Sequence, residues 1–259
     1  MNAIITGVGR RFGIGAGIAR MLAKMKTNVF LTSFKDYDIQ QGLIDKINTN
    51  KVYNSIVDEC KGFGVKATFK SYDLTNYGDV VSLFDEANKF LGNIDILITS
   101  HCCHIYDEFG RITVEHLDDN LAVNAKATFL LCQEFYNRFN GEFGRIVSLS
   151  STQGLEPLTT EVAYAISKAT IPILVLTIAP ILAKKNITIN AVNPGYTSVN
   201  NNINNEEDYY YQSLNTMGRV GTPEDVSNII SFLVSDKGKW ITGQTINSEG
   251  GLFRKTSSF

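Results

Sequence analysis

Seven short apolar runs alternating with stretches of helical periodicity constrain this chain more than any other feature. The runs lie near residues 3–6, 28–32, 65–70, 94–99, 145–150, 187–192 and 244–247, and helical spacing fills 15–25, 51–61, 77–90, 114–139, 164–184 and 223–234. Strand, helix and strand in turn make right-handed crossovers, so the alternation predicts an α/β fold, a doubly wound parallel sheet of about seven strands with helices on both faces. Folds of this kind commonly form one domain at 259 residues. The sequence has no repeat or low-complexity linker, so residues 1–259 are read as a single domain. The last helix carries clear start signals: Thr222 as cap, Pro223 in the first turn, then Glu224 and Asp225 at the positive end of the dipole. The polar segment 35–50 is longer than a usual connection in such a fold.

The first run, Ala3-Ile-Ile-Thr6, ends in Gly7, and Gly13-Ile14-Gly15 opens the first helix. A strand, a glycine-rich turn and a helix aim backbone N–H groups and a helix N-terminus at a pyrophosphate. The spacing departs from GxGxxG, because Phe12 stands at the third glycine position. A tight turn without ligand is the other reading of this segment taken alone.

Tyr164-Ala-Ile-Ser-Lys168 places a phenol and an ammonium about one turn apart on one helix face. A neighbouring ammonium favours phenolate, so Lys168 is expected to lower the Tyr164 pKa from its ordinary ~10 and make it a usable acid and base. Ser151 ends the apolar run Arg145-Ile-Val-Ser-Leu-Ser-Ser151, where its hydroxyl could meet the phenol over one carbonyl.

These two features together resemble the short-chain dehydrogenase/reductase family, whose glycine turn reads TGxxxGxG; here two extra residues separate Thr6-Gly7 from Gly13-Ile14-Gly15. Further matches follow in order: Asp73-Leu74, Asn124 in Leu-Ala-Val-Asn-Ala, Asn193-Pro194-Gly195, and Trp240-Ile-Thr-Gly-Gln-Thr-Ile-Asn-Ser-Glu-Gly-Gly251. The resemblance spans essentially the whole chain. It implies a Rossmann-like sheet and an oxidoreductase that interconverts a ketone or 3-oxoacyl group and a secondary alcohol by hydride transfer from a nicotinamide. By resemblance, Tyr164 is the acid and base, Ser151 binds the same oxygen, Lys168 also holds the nicotinamide ribose, and Asn124 anchors a proton-relaying water. It further implies a cofactor groove built by Gly7, Gly13, Ile14, Gly15, Ser33, Asp73, Leu74, Ser100, Pro194, Gly195 and Thr197, with Tyr164 and Lys168 at its nicotinamide end. Enoyl-reducing relatives usually space the Tyr and Lys further apart, so carbonyl and alcohol chemistry is favoured. The best-known bacterial members reduce 3-oxoacyl groups on an acyl carrier protein, and overall similarity runs toward these.

The second run ends in Ser33-Phe34-Lys35 without the acid that would bind a ribose 2′-OH, while Arg10, Arg11 and Lys35 could pair with a 2′-phosphate. NADP(H) is therefore expected over NAD(H). Where the family has Asn-Asn-Ala-Gly, this chain has Thr99-Ser100-His101-Cys102. A Cys in place of that Gly could crowd the adenine ribose, which keeps open a second class: a cofactor-binding sensor or structural homologue with little turnover. The intact Asn124, Ser151, Tyr164 and Lys168 argue against it.

Net charge −2 without a basic run argues against nucleic acid as a partner. Ile4-Ile5 is too short for the apolar part of a signal peptide, and the longest apolar run, Ile171 to Ala183, is broken by two prolines and falls short of the ~20 residues of a span. A cytoplasmic protein with no membrane partner is expected. The four cysteines form no CxxC pair and are read as free thiols. His101-Cys102-Cys103-His104 resembles a metal site in composition, yet adjacent strand residues point to opposite faces and do not converge on one ion. His116 is read as solvated.

The helix at 164–184 is apolar on all sides, which calls for cover on its outer face. A second copy would supply it, so a homodimer or homotetramer is expected. Pro172 should kink this helix. Residues 196–217, rich in Asn and with Tyr209-Tyr210-Tyr211, are read as a lid. Its tyrosines either stack on a substrate ring or pack the lid down. Glu206, Glu207 and Asp208 without a cation before Arg219 suit an acidic carrier protein poorly, so a small soluble ketone or alcohol is an equal expectation.

Overall fold

The computed structural model describes residues 1–42, 49–151, 157–199 and 205–253. Seven parallel strands, β1 (Asn2–Ile5), β2 (Asn28–Ser33), β3 (Ala67–Ser71), β4 (Ile96–Thr99), β5 (Gly144–Leu149), β6 (Ile187–Asn193) and β7 (Thr245–Asn247), pair in the order 3-2-1-4-5-6-7. The helices are α1 (Ile14–Lys24), α2 (Lys35–Gln40), α3 (Thr49–Lys61), α4 (Tyr77–Leu91), α5 (Val114–Asn120), α6 (Ala127–Arg138), α7 (Val162–Ala183), α8 (Glu206–Leu214) and α9 (Pro223–Val234).

Strand alternation divides the core. Ala3, Ile5, Val29, Leu31, Ile98 and Val147 face α1, α3 and α9, whereas Ile4, Phe30, Leu97, Ile146 and Ile189 face α4, α6 and α7. Strand order reverses between β1 and β4, so the carboxyl ends of these strands open a crevice of the kind that binds ligands in doubly wound sheets.

The helix read from 114 to 139 is three pieces, because a π turn at Leu121–Lys126 separates α5 from α6. Helix α7 runs continuously through Pro172 and Pro180. By length and composition it could cross a bilayer, contrary to the reading from its apolar run alone. Ile171, Val175, Ala179 and Leu182 nevertheless pack into the sheet, while Ile173, Leu176 and Ile181 stay exposed. Thr222 and Asp225 form the reciprocal cap of α9. The segment 35–50 contributes α2 and the start of α3, with its middle outside the described residues. Likewise the lid contributes α8, and residues 200–204 of it lie outside them.

Candidate active site

The glycine turn is built for close approach. Gly7 has φ +72°, and a Cβ there would fall on the Ser100 carbonyl; one at Gly15 would lie 2.5 Å from Gly7 O. Gly13 starts α1 with no side-chain cap and no acid in the first turn, so the first N–H groups of α1, among them those of Ile14 and Gly15, point at the crevice.

The segment after β4 departs from its family pattern yet closes well. His101 Nδ1 lies 2.7 Å from Thr6 Oγ1 and its Nε2 3.0 Å from Val123 O. The Val123 carbonyl can only accept, so Nε2 carries the proton and Nδ1 accepts from Thr6. Burial pulls the His101 pKa down to about 3, with Lys168 adding to the effect. The imidazole thus ties β1 to the π turn. Asn124, inside that turn, clamps the backbone of Cys103: its Oδ1 accepts from Cys103 N at 2.9 Å, and its Nδ2 donates to Cys103 O and to Ser167 Oγ, each at 2.8 Å. The four side chains of 101–104 go separate ways, to Thr6, Tyr164, Tyr37 and Glu161 respectively. Among the described residues no cluster of three metal-ligating side chains forms.

Ser151, just past β5, stands beside Tyr164, in the first turn of α7, where its hydroxyl favours the phenolate. Lys168 is one turn further on, but its Nζ donates to Leu149 O at 2.9 Å. The expectation that Lys168 lowers the Tyr164 pKa is corrected here: burial pushes the phenol well above its ordinary value, Cys102 adds to the rise, and Lys168 is not among its influences. Burial pulls the Lys168 amine down. Both shifts express one cause, a dry site that disfavours charge. The Cys102 thiol, which donates to Cys103 O at 3.5 Å, also lies against Tyr164, and burial raises its own pKa. It therefore stands at the phenol, rather than at the adenine end where crowding was anticipated.

Next to β6, Asn193 Oδ1 accepts from Gly195 N at 3.0 Å, and Gly195 has φ +60° with Glu249 against its α-carbon. Thr197 Oγ1 donates to Pro194 O at 3.1 Å. At the other end, Asp73 Oδ1 accepts from Thr75, and Leu74 is buried.

Of the three cations anticipated near β2, Arg11 is paired with Glu59 at 2.8 Å and Lys35 reaches Asn50 at 3.4 Å. Arg10 is exposed, and its charge acts on both Asp38 and Cys102, which places it over the crevice. Asp38 was missed in the sequence. Its carboxylate packs against Gly9 and accepts from Ser33 Oγ at 2.6 Å and Tyr53 Oη at 2.8 Å, while burial raises its pKa. Five residues beyond the strand end, on a short polar helix, it gave no periodic signal.

At the outer end, His104 lies with its ring centroid 4.7 Å from those of both Tyr106 and Tyr164, and its Nε2 is 3.2 Å from Glu161 Oε2. His116 is not merely solvated, because its Nδ1 lies 2.6 Å from the buried Asp107. Tyr211 stacks on Tyr196 at 4.0 Å, so this lid tyrosine packs α8 down, whereas Tyr209 and Tyr210 are exposed.

A doubly wound parallel sheet with a glycine cradle at its switch point and a Ser–Tyr pair beside it defines a dinucleotide-dependent oxidoreductase. Comparison with known proteins agrees. Residues 7–253 match a family model described as enoyl-(acyl carrier protein) reductase. The chain is 34% identical over 256 residues to the uncharacterized oxidoreductase YjdA of Bacillus subtilis (strain 168), covering 97% of this chain and 96% of that one. It is 31% identical over 261 residues to the NADPH-dependent aldehyde reductase 2, chloroplastic, of Arabidopsis thaliana, covering 96% and 92%. A solved short-chain dehydrogenase/reductase from Serratia marcescens BCRC 10948 superposes with a TM-score of 0.86 at 25% identity, covering 98% of each chain. This chain belongs to the short-chain dehydrogenase/reductase family, and it is an oxidoreductase acting between carbonyl and CH–OH groups with a nicotinamide cofactor.

Proposed function

We propose that this chain is a single-domain, NADPH-preferring reductase of small ketones or aldehydes in which Tyr164 passes a proton to the carbonyl oxygen. The observation that carries the reading is the placement of the Ser151 hydroxyl beside the Tyr164 phenol, together with the glycine cradle. The bound nicotinamide supplies the hydride. Gly7, Gly13, Ile14 and Gly15 receive its pyrophosphate, and Ser33, Asp73, Leu74 and Ser100 border the adenosine. Pro194, Gly195 and Thr197 line the nicotinamide end, where Lys168 holds the ribose. Tyr164 and Ser151 both bind the substrate oxygen, which polarises the carbonyl and orients it. A phenol whose pKa lies above its ordinary value stays protonated at neutral pH. That state is the one reduction needs, and it supports reduction as the working direction. Asn124, engaged with Cys103 and Ser167, fixes the floor on which Lys168 and Tyr164 stand, and its proposed water relay would reach Lys168 from there.

The NADPH preference rests on Arg10 more than on Arg11 or Lys35, and an NADPH-dependent relative supports it. Asp38 opposes it only weakly, since its carboxylate is buried with a raised pKa and engaged by Ser33 and Tyr53. Ile166, Ile173, Leu176 and Ile181 leave α7 with an exposed apolar stripe that a second copy would cover, as a homodimer or homotetramer. We place the protein in the cytoplasm. A carrier-bound 3-oxoacyl group remains the weaker substrate assignment, because the lid helix opens with three acids.

A weakly catalytic cofactor sensor is the second reading. Cys102 favours it, since its thiol engages the phenol that must serve the substrate. Titration with NADPH and NADH, followed by turnover of a ketone panel with Tyr164→Phe as control, separates the two. Binding with turnover that Tyr164→Phe abolishes supports the reductase, binding without turnover supports the sensor, and failure to bind either cofactor overturns both.

A further inference from the structure

We propose that this site selects a neutral ring ketone carrying a hydroxyl group, and that His104 selects it by accepting the hydroxyl hydrogen bond at Nδ1. The inference rests on the reading of Tyr164 as proton donor and extends it to substrate class.

The imidazole is held from every side. Its backbone follows Cys103, which Asn124 clamps at both N–H and C=O, and its own N–H donates to Tyr37 Oη at 3.3 Å. The ring stands against Tyr164 on one side and Tyr106 on the other, at 4.7 Å from each. Glu161 Oε2 lies 3.2 Å from Nε2. A carboxylate accepts, so Nε2 is the ring nitrogen that carries a proton toward Glu161, and Nδ1 is the one whose lone pair a substrate O–H can reach in the neutral ring. Nδ1 has no partner among the described residues. A substrate whose carbonyl rests on Tyr164 thus has a fixed acceptor beside it, matched to an O–H donor.

The surroundings add shape and charge. The exposed Tyr106 ring borders an open depression of about 420 Å³, shared with Asp107, Glu108, Arg111 and Thr160. Tyr211 of the lid helix feels the charges of Glu161 and Glu207 and lies within range of Tyr106. Flat rings stack on such edges and faces at low entropic cost. The carboxylates of Glu161, Glu207, Asp107 and Glu108 outnumber the cations here. Arg111 leans on Glu108, and His116 is bound to Asp107. An anionic substrate, such as a keto acid, would be repelled.

The test uses steady-state kinetics with the tighter-binding nicotinamide cofactor on 1-tetralone, its 5-, 6- and 7-hydroxy derivatives, and acetoacetate. The expected result is at least one hydroxytetralone with kcat/KM about tenfold above 1-tetralone, the worth of one good hydrogen bond, and acetoacetate slowest. His104→Phe keeps a ring between the two tyrosines and removes the acceptor. It should bring the hydroxylated-to-parent ratio to about one through KM, and His104→Gln should restore part of it. A purely structural role would slow all the ketones alike. A ratio that survives in His104→Phe overturns the assignment of His104. Faster turnover of acetoacetate than of every tetralone overturns the substrate class while leaving the reductase reading intact. Cofactor binding with no ketone reduced overturns both.

Discussion

Lys168 Nζ donates to the main-chain oxygen of Leu149 at 2.9 Å, bridging α7 to the last residue of β5. The ammonium is buried with a neutral carbonyl oxygen as its hydrogen-bond partner among the described residues, and burial has pulled its pKa down, so the fold bears a cost to keep it charged.

Lys168→Met fills the same volume without the charge. Turnover should drop by about 10²-fold or more, the usual range for a group that assists proton transfer, while Tm holds or rises. Calorimetry and kinetics on one preparation check this. A clear fall in Tm would make Lys168 chiefly a structural clamp.

Tyr164 has a pKa pushed up by burial, which gives the two reaction directions different pH dependence. Reduction uses the protonated phenol, which persists through neutral pH, so its rate should be flat from about pH 6 to 8. Oxidation of the alcohol product uses the phenolate and should climb steadily toward alkaline pH. An oxidation rate that levels off below pH 7 would show that bound ligands bring Tyr164 down.

His101 gains its proton near pH 3 when folded and near ~6.5 when unfolded. The unfolded state therefore binds the extra proton between these values, so stability is intact above ~6.5 and is lost as pH falls through this window. At pH ~4.5 the loss from this group is on the order of 2.7 kcal/mol. His101→Gln should flatten the pH dependence of Tm relative to the parent, because glutamine does not titrate.

Arg10 and Arg11 are adjacent in sequence but engaged differently, since only Arg11 is paired with Glu59. Arg10→Ala should weaken NADPH about tenfold or more while sparing NADH, as expected for loss of a charge-assisted phosphate contact. Arg11→Ala should leave the NADPH/NADH ratio near that of the parent. Equal effects of the two substitutions in a fluorescence titration would reject this division.

Ile173 and Leu176 on α7 are 64% and 61% exposed. The double variant Ile173→Asp/Leu176→Asp should sediment as a monomer at micromolar concentration, where the parent is expected to sediment as the proposed dimer or tetramer. A monomeric parent would leave that stripe without a second copy to cover it.

The central strands were legible because buried parallel strands are dense in apolar residues, as in Val29-Phe-Leu31 and Ile96-Leu-Ile98. Helices α2 and α8 were not, because each is short and polar, and α8 is held by a tertiary contact, the stack of Tyr211 on Tyr196. The Ser151–Tyr164 pairing followed from the strand end and helix spacing. The direction of the Tyr164 pKa shift did not, because it depends on how dry the site is and on a thiol, that of Cys102, supplied by the segment after β4. His101 stands at the family's alanine position, where nothing in the sequence signalled a role. Its bond to Thr6 crosses 95 positions of sequence and is visible only in three dimensions.

The π turn at Leu121–Lys126 holds one residue more than an α-helix would use, and Asn124 sits inside it. Deleting one residue of the turn would let α5 and α6 merge into a straight helix, and residues inside the turn would change azimuth by up to about 100° while those outside it kept theirs. Asn124 would then face away from Ser167 and Cys103. The surplus residue acts as a ratchet: point substitution can vary it, but no single deletion removes it without unseating the loop that carries Cys102 and His104.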